Sequence, residues 1–236
     1  MVVCGYNHVE DDGTIIKNRP FEDKTLKGCG FFLDWLKENG FINVMPWNKL
    51  YKRELFIKNK IKFPEHIYHQ DYATIPRLLH YCRSVSFITD VLYNWMIRSD
   101  SVTLTASEKR INDNFIAFNI LKNFMKSNNL LKEHKKYFYK TCYRSIRFNI
   151  NNAYTTLGND PEALSAYTAL YLSKMLEEVP VEEIVSLIDL KLLQNLINIE
   201  DIFNTFENLA NNKWVRFSQL NKKRKIIFLL RDLLGM

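Results

Sequence analysis

Glycine is scarce in this chain, with 7 in 236 residues, which leaves few positions for a glycine-rich loop that cradles phosphate. No apolar run approaches the ~18 residues of a membrane-spanning helix. The first residues have no charged segment followed by an apolar stretch, so we expect no signal peptide. Cys4, Cys29, Cys82 and Cys142 form no Cys-x-x-Cys pair, which predicts reduced thiols in a cytosolic protein rather than disulfides or a zinc site.

The positive charge is too evenly spread along the sequence to identify a binding partner. The net charge is +7, and the excess is spread thinly except at Lys222–Lys225. Such a balance suits nucleic acid, anionic lipid or phosphorylated ligands alike. No nucleic-acid-binding module is visible, and the basic residues do not line one element, so we expect no nucleic-acid partner. Aromatic residues make up 14% of the chain, enough for a large core or an aromatic-lined cleft.

Residues 1–105 show the mixed pattern of an α/β domain. The Asp-Gly pair between Val9 and Ile15 predicts a hairpin turn after a first strand. The predicted strands are Met1–Tyr6, Ser84–Ile88 and Val91–Ile97, and the predicted helices are Phe31–Asn39 (ended at Gly40), a segment within Pro46–Ile57, and Tyr72–Arg83.

Residues 106–236 follow the apolar spacing of helices instead. Ile111, Phe115, Phe118, Leu121 and Met125 recur at helical intervals. Further helices are predicted for Tyr137–Ile150, for Asp160–Leu176 with an Asp-Pro start, from Pro180, and for Lys222–Leu234. The fold class is therefore α/β followed by an all-α C-terminal helical bundle, as two domains, 1–105 and 106–236.

The segment from Pro46 to Thr103 holds the residues best suited to chemistry. It contains Pro-Trp-Asn-Lys-Leu-Tyr-Lys-Arg from Pro46, Phe-Pro-Glu from Phe63, Gln-Asp at a helix start, Leu-Tyr-Asn-Trp from Leu92, and Arg-x-x-Ser-x-Thr from Arg98. Taken alone, Asp71 has two explanations. An acidic residue at a helix N-terminus is stabilised by the helix dipole, and a carboxylate there can also be a catalytic base.

This ordered set resembles the family 2, GT-A-type glycosyltransferases of bacterial polysaccharide assembly, over residues 1–105. Those proteins show W/F-N-K-L-Y, F-P-E-G, E-D, L-Y-x-Y and R-x-x-S-I-T in the same order. The resemblance implies an inverting transfer from a nucleotide sugar to a polysaccharide or lipid-linked acceptor, with Asp71 as the general base. The Glu of the E-D pair is Gln70 here, and the Gly after Phe-Pro-Glu is His66. Replacing an acid by Gln70 removes a charge beside Asp71.

Other positions carried over by the resemblance are candidates for substrate binding: Trp47, Asn48, Lys49, Tyr51, Gln70, Arg98, Ser101 and Thr103. Aromatic faces stack on sugar rings, which suits Trp47 and Tyr51 to an acceptor cleft. The alternative is that Trp47 and Tyr51 pack in the core while Lys49 is solvated. For Arg98, Ser101 and Thr103 the alternative is a charged turn leaving a strand.

Two family elements are missing. The first strand, S-V-I-I-P-x-Y-N, and the D-x-D motif that holds Mg²⁺ or Mn²⁺ are not found, so the chain itself is expected to bind no cofactor. Asp11-Asp12 falls in the hairpin turn, which explains it without a metal. Met1 falls where an internal strand residue of a longer relative would lie. The interpretations are a truncated gene, a mis-assigned start or a separated C-terminal fragment.

Two expectations about partners follow, together with an alternative function and a location. A strand that has lost its neighbours exposes an edge, so self-association or a partner chain is expected at Val2–Tyr6. The basic and apolar segment Lys222–Leu234 suits either the inner face of the plasma membrane or the last helix of the bundle. A second functional hypothesis is a non-catalytic remnant or interaction module that retains the scaffold. The predicted location is the cytoplasm.

Overall fold

The computed structural model describes residues 1–38, 43–98, 101, 106–157 and 159–179. By contacts the chain divides into two compact units, Met1–Thr105 with Asn112–Thr141, and Ala106–Ile111 with Cys142–Met236. The division of function between residues 1–105 and 106–236 stays a prediction.

The first unit is built on a mixed sheet of five strands: β1 (Val2–Val9), β2 (Ile15–Arg19), β3 (Lys24–Lys27), β4 (Lys49–Leu50) and β5 (Ser84–Met96). Their order is β2-β1-β5-β3, and β4 also pairs with β1. β1 is antiparallel to β2 and β4 and parallel to β5, and β3 is antiparallel to β5. This sheet confirms the predicted α/β class.

The β1–β2 hairpin forms where the Asp-Gly pair predicts it. Val9 is opposite Ile15, and the Glu10 N–H donates to the Thr14 carbonyl at 2.9 Å. Gly13 takes a φ of 87°, the left-handed conformation that glycine adopts without strain. Asp12 Oδ1 accepts from the Thr14 N–H at 2.8 Å, which closes the turn with a side chain.

β1 is an interior strand of this sheet, so the predicted exposed edge at Val2–Tyr6 is wrong. One edge pairs with β5 along nearly its whole length. The other edge is shared between β4 at Val2 and Val3, the Asn48 carbonyl at Cys4, and β2 from Tyr6 to Val9. The backbone groups of β1 are therefore used within the chain, and self-association stays a prediction without this support.

Three helices of the first unit match the sequence pattern in part: α1 (Phe31–Glu38), α2 (Arg53–Lys58) and α3 (Gln70–Tyr81). The α3 prediction is confirmed. The helix expected within Pro46–Ile57 begins only at Arg53, because Lys49 and Leu50 pair with β1 instead. The two strands expected between Ser84 and Ile97 are one strand, β5, whose register against β1 shifts at two places. The predicted end of α1 at Gly40 lies outside the described residues.

The core of the first unit lies among α1, α3 and α4 (Glu108–Ser127). Phe32 and Phe124 meet at 5.6 Å between ring centroids, and Tyr72 contacts both Trp35 and Phe118. Phe32, Leu78 and Leu121 are completely buried. Burying side chains of this size contributes about 1.5–3 kcal/mol each, so this packing stabilises α3 in the unit.

Among the described residues after 106, the predicted helices are confirmed. They are α4, α5 (Leu131–Leu157) and α6 (Pro161–Glu178). The Asp160 carboxylate accepts from the Ala163 N–H at 2.9 Å and caps α6 as predicted. In the second unit buried Arg110 donates to Asn149 Oδ1 at 2.9 Å. The helices predicted from Pro180 and for Lys222–Leu234 lie outside the described residues.

None of the described helices combines the length and apolar character needed to cross a bilayer. Cys4, Cys29, Cys82 and Cys142 are all free thiols, as the sequence predicts.

Candidate functional site

Asp71 lies in the first turn of α3 and is half-buried. The residue that precedes the helix, His69, has a φ of 58° and caps it without a side-chain bond. The Asp71 carboxylate accepts from the Tyr72 backbone N–H at 2.8 Å. It therefore satisfies one of the free N–H groups at the helix start, and its position beside the positive end of the helix dipole favours the ionised form of a carboxylate.

The loop that leads to Asp71 is held by α4. The Tyr68 backbone N–H donates to Asp113 Oδ2 at 2.8 Å, and Asp113 is only 5% exposed. In the same loop His66 takes a φ of 60°. This is the position where the resembled family has glycine, the residue that reaches the left-handed region without strain. The structure thus gives a physical reason for that glycine and shows that His66 adopts its conformation.

Lys49 is the buried cation of the site. It is 8% exposed, and its ammonium donates to the Met45 carbonyl at 2.6 Å, to Asn48 Oδ1 at 2.7 Å and to Asn43 Oδ1. Burial lowers the pKa of Lys49 to about 7, although interaction with Cys4 and with Asp71 acts in the opposite direction. Three acceptors and a nearby carboxylate favour the charged amine, while desolvation favours the neutral one. Lys49 is therefore not solvated, contrary to one of the two interpretations of the sequence.

Asn48 joins Lys49 to the sheet. Its side-chain Nδ2 donates to the Cys4 carbonyl at 3.0 Å, and its own carbonyl accepts from the Cys4 N–H at 3.0 Å. The side chain is completely buried. These bonds give Asn48 a structural role, and its contact with a substrate stays a prediction.

Tyr51 shares the electrostatic environment of Lys49. Burial raises the pKa of Tyr51 above its usual value, and interactions with Cys82 and Asp71 add to the effect. Its ring also packs with Phe56 and against the buried cluster around Ile75 and Leu78. In the structure the charge of Asp71 therefore acts on both Lys49 and Tyr51.

Trp47 belongs to a group of five half-buried rings that we call the aromatic surface: Tyr6, His8, Trp47, Tyr93 and Trp95. The Trp47 indole stacks on Tyr93 with 4.4 Å between centroids and lies parallel to Trp95 at 6.3 Å. Tyr6 meets Trp47 edge to face at 4.9 Å. His8 meets Trp95 in the same way at 4.8 Å and Tyr6 at 5.4 Å.

The aromatic surface lies along one face of β1, and Trp47 joins it from the segment before β4. Cys4, Tyr6 and His8 alternate with the buried residues Val3, Asn7 and Val9, so they share a face of the strand. This group was not predicted as a site. The sequence could have indicated it, because Tyr6 and His8 are two residues apart, as are Tyr93 and Trp95. Residues two apart in a strand lie on the same face of the sheet.

The remaining residues predicted to bind substrate are Gln70, Arg98, Ser101 and Thr103. Gln70 is the exposed first residue of α3. Arg98 is exposed after β5, and its carbonyl accepts from the Ser101 N–H at 3.2 Å, which is the geometry of a turn leaving a strand. Thr103 lies outside the described residues. A role of these residues in binding a diphosphate or an acceptor stays a prediction.

The described residues do not fit the divalent cation that the resemblance implies. Asp12 is engaged in the hairpin turn, as described above. In residues 1–38, 43–98, 101, 106–157 and 159–179, no three His, Cys, Asp or Glu side chains group closely enough to hold a metal ion. The mechanism proposed below therefore includes no metal-dependent step.

Comparison with known proteins yields a relative. No protein-family model matches the chain. Over 145 residues it is 26% identical to a protein of Bacillus subtilis (strain 168) named "Putative glycosyltransferase EpsH". The similarity covers 58% of this chain and 40% of the relative's length, so the chain spans about two fifths of the protein it matches. It supports a relationship to a glycosyltransferase and says nothing of donor, acceptor or stereochemistry.

Proposed function

We propose that this chain forms the acceptor-side part of a family 2, GT-A-type glycosyltransferase that acts in the synthesis of cell-surface polysaccharide. The reaction transfers a sugar from a nucleotide sugar to a polysaccharide or lipid-linked acceptor, with inversion. The observation that carries the proposal is the half-buried Asp71 at the start of α3, in electrostatic contact with buried Lys49. The similarity to a glycosyltransferase supports the same conclusion.

In this mechanism Asp71 is the general base. An acceptor hydroxyl gives its proton to the Asp71 carboxylate as its oxygen bonds to the anomeric carbon of the donor. The bond from that carbon to the diphosphate breaks on the opposite side, and the nucleoside diphosphate leaves with the electron pair. Coulomb attraction is mutual, so Lys49 in its protonated form favours the ionised carboxylate that a base needs.

The aromatic surface supplies a place for the acceptor. Sugar rings present C–H faces that pack on flat aromatic side chains, and Trp47 connects this surface to Asn48 and Lys49. We assign the acceptor to the strip from Trp47 to Asp71. The donor's nucleotide and any Mg²⁺ or Mn²⁺ would be held by residues other than those described.

A chimera tests the catalytic part of the proposal. The aligned part of the Bacillus relative is exchanged for this chain, and release of nucleoside diphosphate from UDP-, GDP- and dTDP-sugars is measured with Mn²⁺ and a saccharide panel. Transfer is expected, and Asp71→Asn is expected to slow it about 10²- to 10⁴-fold. Gln70→Glu restores the acidic pair of the family and serves as the matched variant, which should retain transfer.

Two results would contradict the proposal in different ways. Equal rates for the parent chimera and Asp71→Asn would remove Asp71 as the base. Saccharide binding by the full chain with no transfer by any chimera would favour the alternative, a non-catalytic module that retains the scaffold. The observation that supports this alternative is Gln70, which stands where the resembled family has an acidic residue.

A further inference from the structure

Two cations border the aromatic surface on the strand next to β1. In the β1–β2 pairing Arg19 lies opposite Tyr6, and Lys17 lies opposite His8. Residues directly opposite each other in an antiparallel pair project from the same face of a sheet. Lys17 and Arg19 are both exposed. One face of the sheet therefore carries a row of aromatic rings with two positive charges along its side.

The charges that act most strongly on His8 are positive. Burial lowers the pKa of His8, and the charges of Arg19 and then Lys17 lower it further. The acidic residues nearest along the chain lie in the hairpin turn, where the Asp12 carboxylate accepts from the Thr14 N–H. His8 Nε2 is also buried and has no hydrogen-bond partner among the described residues. Such an atom is costly in a folded protein unless a ligand or water completes its bonds.

Packing alone does not account for this arrangement. A core group of this size is usually enclosed, yet all five rings are half-buried and two of the neighbouring strand's five exposed side chains are cations. Flat aromatic rings fit the C–H face of a sugar, and flanking Lys and Arg fit a carboxylate or phosphate. A neutral sugar would leave the two charges without a counterpart.

We propose that the aromatic surface, with Lys17 and Arg19, binds a saccharide that bears negative charge, a uronic acid or a phosphate-substituted sugar. The sugar rings lie on the aromatic side chains, and the anionic group meets Lys17 and Arg19. This inference rests on the proposed function, since it names the chemical class of the acceptor. It extends the acceptor strip from Trp47 to the hairpin.

The test compares two ligands that differ only in charge. The full chain is titrated with tetragalacturonic acid and with its fully methyl-esterified form, and binding is followed by tryptophan fluorescence and calorimetry. Two exposed charge pairs correspond to about a tenfold difference in affinity, so the acid is expected to bind about tenfold more tightly at low salt. The difference should shrink as salt rises, because exposed charges are screened.

Matched double variants locate the charge effect. Lys17→Gln with Arg19→Gln should reduce the affinity for the acid to about that for the ester. Lys27→Gln with Arg83→Gln removes the same charge beside β3, at the other edge of the sheet, and should leave the affinity unchanged within about twofold. All four side chains are exposed, and circular dichroism confirms that both variants fold.

The outcomes separate this inference from the proposed function. Equal binding of acid and ester would overturn the inference while leaving an acceptor-side role intact. Equal loss in both double variants would also overturn it, because the effect would then be that of net charge. Binding of neither saccharide would overturn the inference, while the chimera and its Asp71→Asn variant test the proposed function independently. If inorganic polyphosphate binds as tightly as the acid, and the Lys17 and Arg19 double variant no longer binds it, the site recognises anions in general. That result would overturn the inference.

Discussion

The indole of Trp47 lies nearly parallel to the ring of Tyr93, with 4.4 Å between centroids and 18° between the ring planes. Trp47 precedes β4 and Tyr93 is on β5, so the stack joins the candidate site to an interior strand of the sheet. Asn48 and Lys49 follow directly in the chain. The stack is therefore one of the contacts that hold the segment leading into buried Lys49 against the sheet.

The Trp47–Tyr93 stack should be measurable as a coupling energy. Replacing either residue by Ala is expected to lower the free energy of unfolding by about 2–3 kcal/mol, somewhat less than for a fully buried ring. In a double-mutant cycle the pair should show a coupling of about 1 kcal/mol, measured by urea denaturation. A cycle of Trp47 with exposed Leu92 is the control, and a coupling there as large as with Tyr93 would contradict the stack.

His66→Gly is expected to stabilise the chain. With φ at 60°, the His66 backbone is in a region that costs a residue with a Cβ about 1–2 kcal/mol. Glycine removes this cost and loses part of the gain through a freer unfolded state and through the lost interaction of the His66 side chain, so the net gain should be at most about 0.5 kcal/mol. Lys62→Gly, in the same loop but without a positive φ, should instead lower the melting temperature. If both variants destabilise equally, the left-handed conformation of His66 is wrong.

Lys49 should make stability depend on pH in a defined direction. Folding lowers its pKa from 10.5 to about 7. Between these values the unfolded chain binds a proton that the folded chain does not, so the free energy of unfolding rises with pH. From about pH 7 to about pH 8.5 the rise should be roughly 1–2 kcal/mol. The raised pKa of Cys82 acts in the opposite direction, but only near and above its ordinary value of 9.0.

The comparison that isolates Lys49 is Lys49→Met, measured by urea unfolding across this pH interval. The variant should show a flatter profile, whatever its absolute stability. Lys52→Met, an exposed neighbour, should keep the slope of the parent. Identical slopes for the parent and Lys49→Met would mean that the three oxygen acceptors hold Lys49 charged throughout.

Asp113→Ala tests how the loop before Asp71 is held. It removes the acceptor of the Tyr68 N–H, which should lower the free energy of unfolding by about 1–3 kcal/mol. Asp113→Asn keeps a side-chain oxygen and should lose less. Glu65→Ala, which removes an exposed carboxylate from the same loop, should change stability by less than about 0.5 kcal/mol. Equal losses for the Asp113 and Glu65 variants would show that α4 does not anchor this loop.

Sequence reasoning succeeded where the determinants are local. The apolar spacing of α3 and α4 and the Asp-Pro start of α6 depend on residues within one or two turns. It failed at β4, because the partner of Lys49 is Val3, far away in the chain. Sequence reasoning also treated β1 as an edge strand, because the sequence of a strand does not show which other strands it pairs with.

The candidate site was predicted in part for the same reason. The order of motifs named Asp71 and Lys49 as candidates, which stays a prediction, and in the structure the charge of Asp71 acts on Lys49. It did not point to the aromatic surface, whose members come from β1, β5 and the segment before β4. The register of Tyr6 with Tyr93 and of His8 with Trp95 brings four of them together, and Trp47 joins through its stack on Tyr93.

The parallel pairing of β1 with β5 also has a consequence for how the chain acquires its fold. Asn7 donates to Asn94 across these strands, from a position 87 residues away. Helices such as α3 can form as soon as they are made, whereas a contact of this separation requires closure of a long loop first. During synthesis β1 can pair with β2 and β4 before β5 is made, but its edge toward β5 stays open until Met96 has left the ribosome. In that interval this edge is open to other chains, so the chain is more exposed to aggregation during translation than after folding.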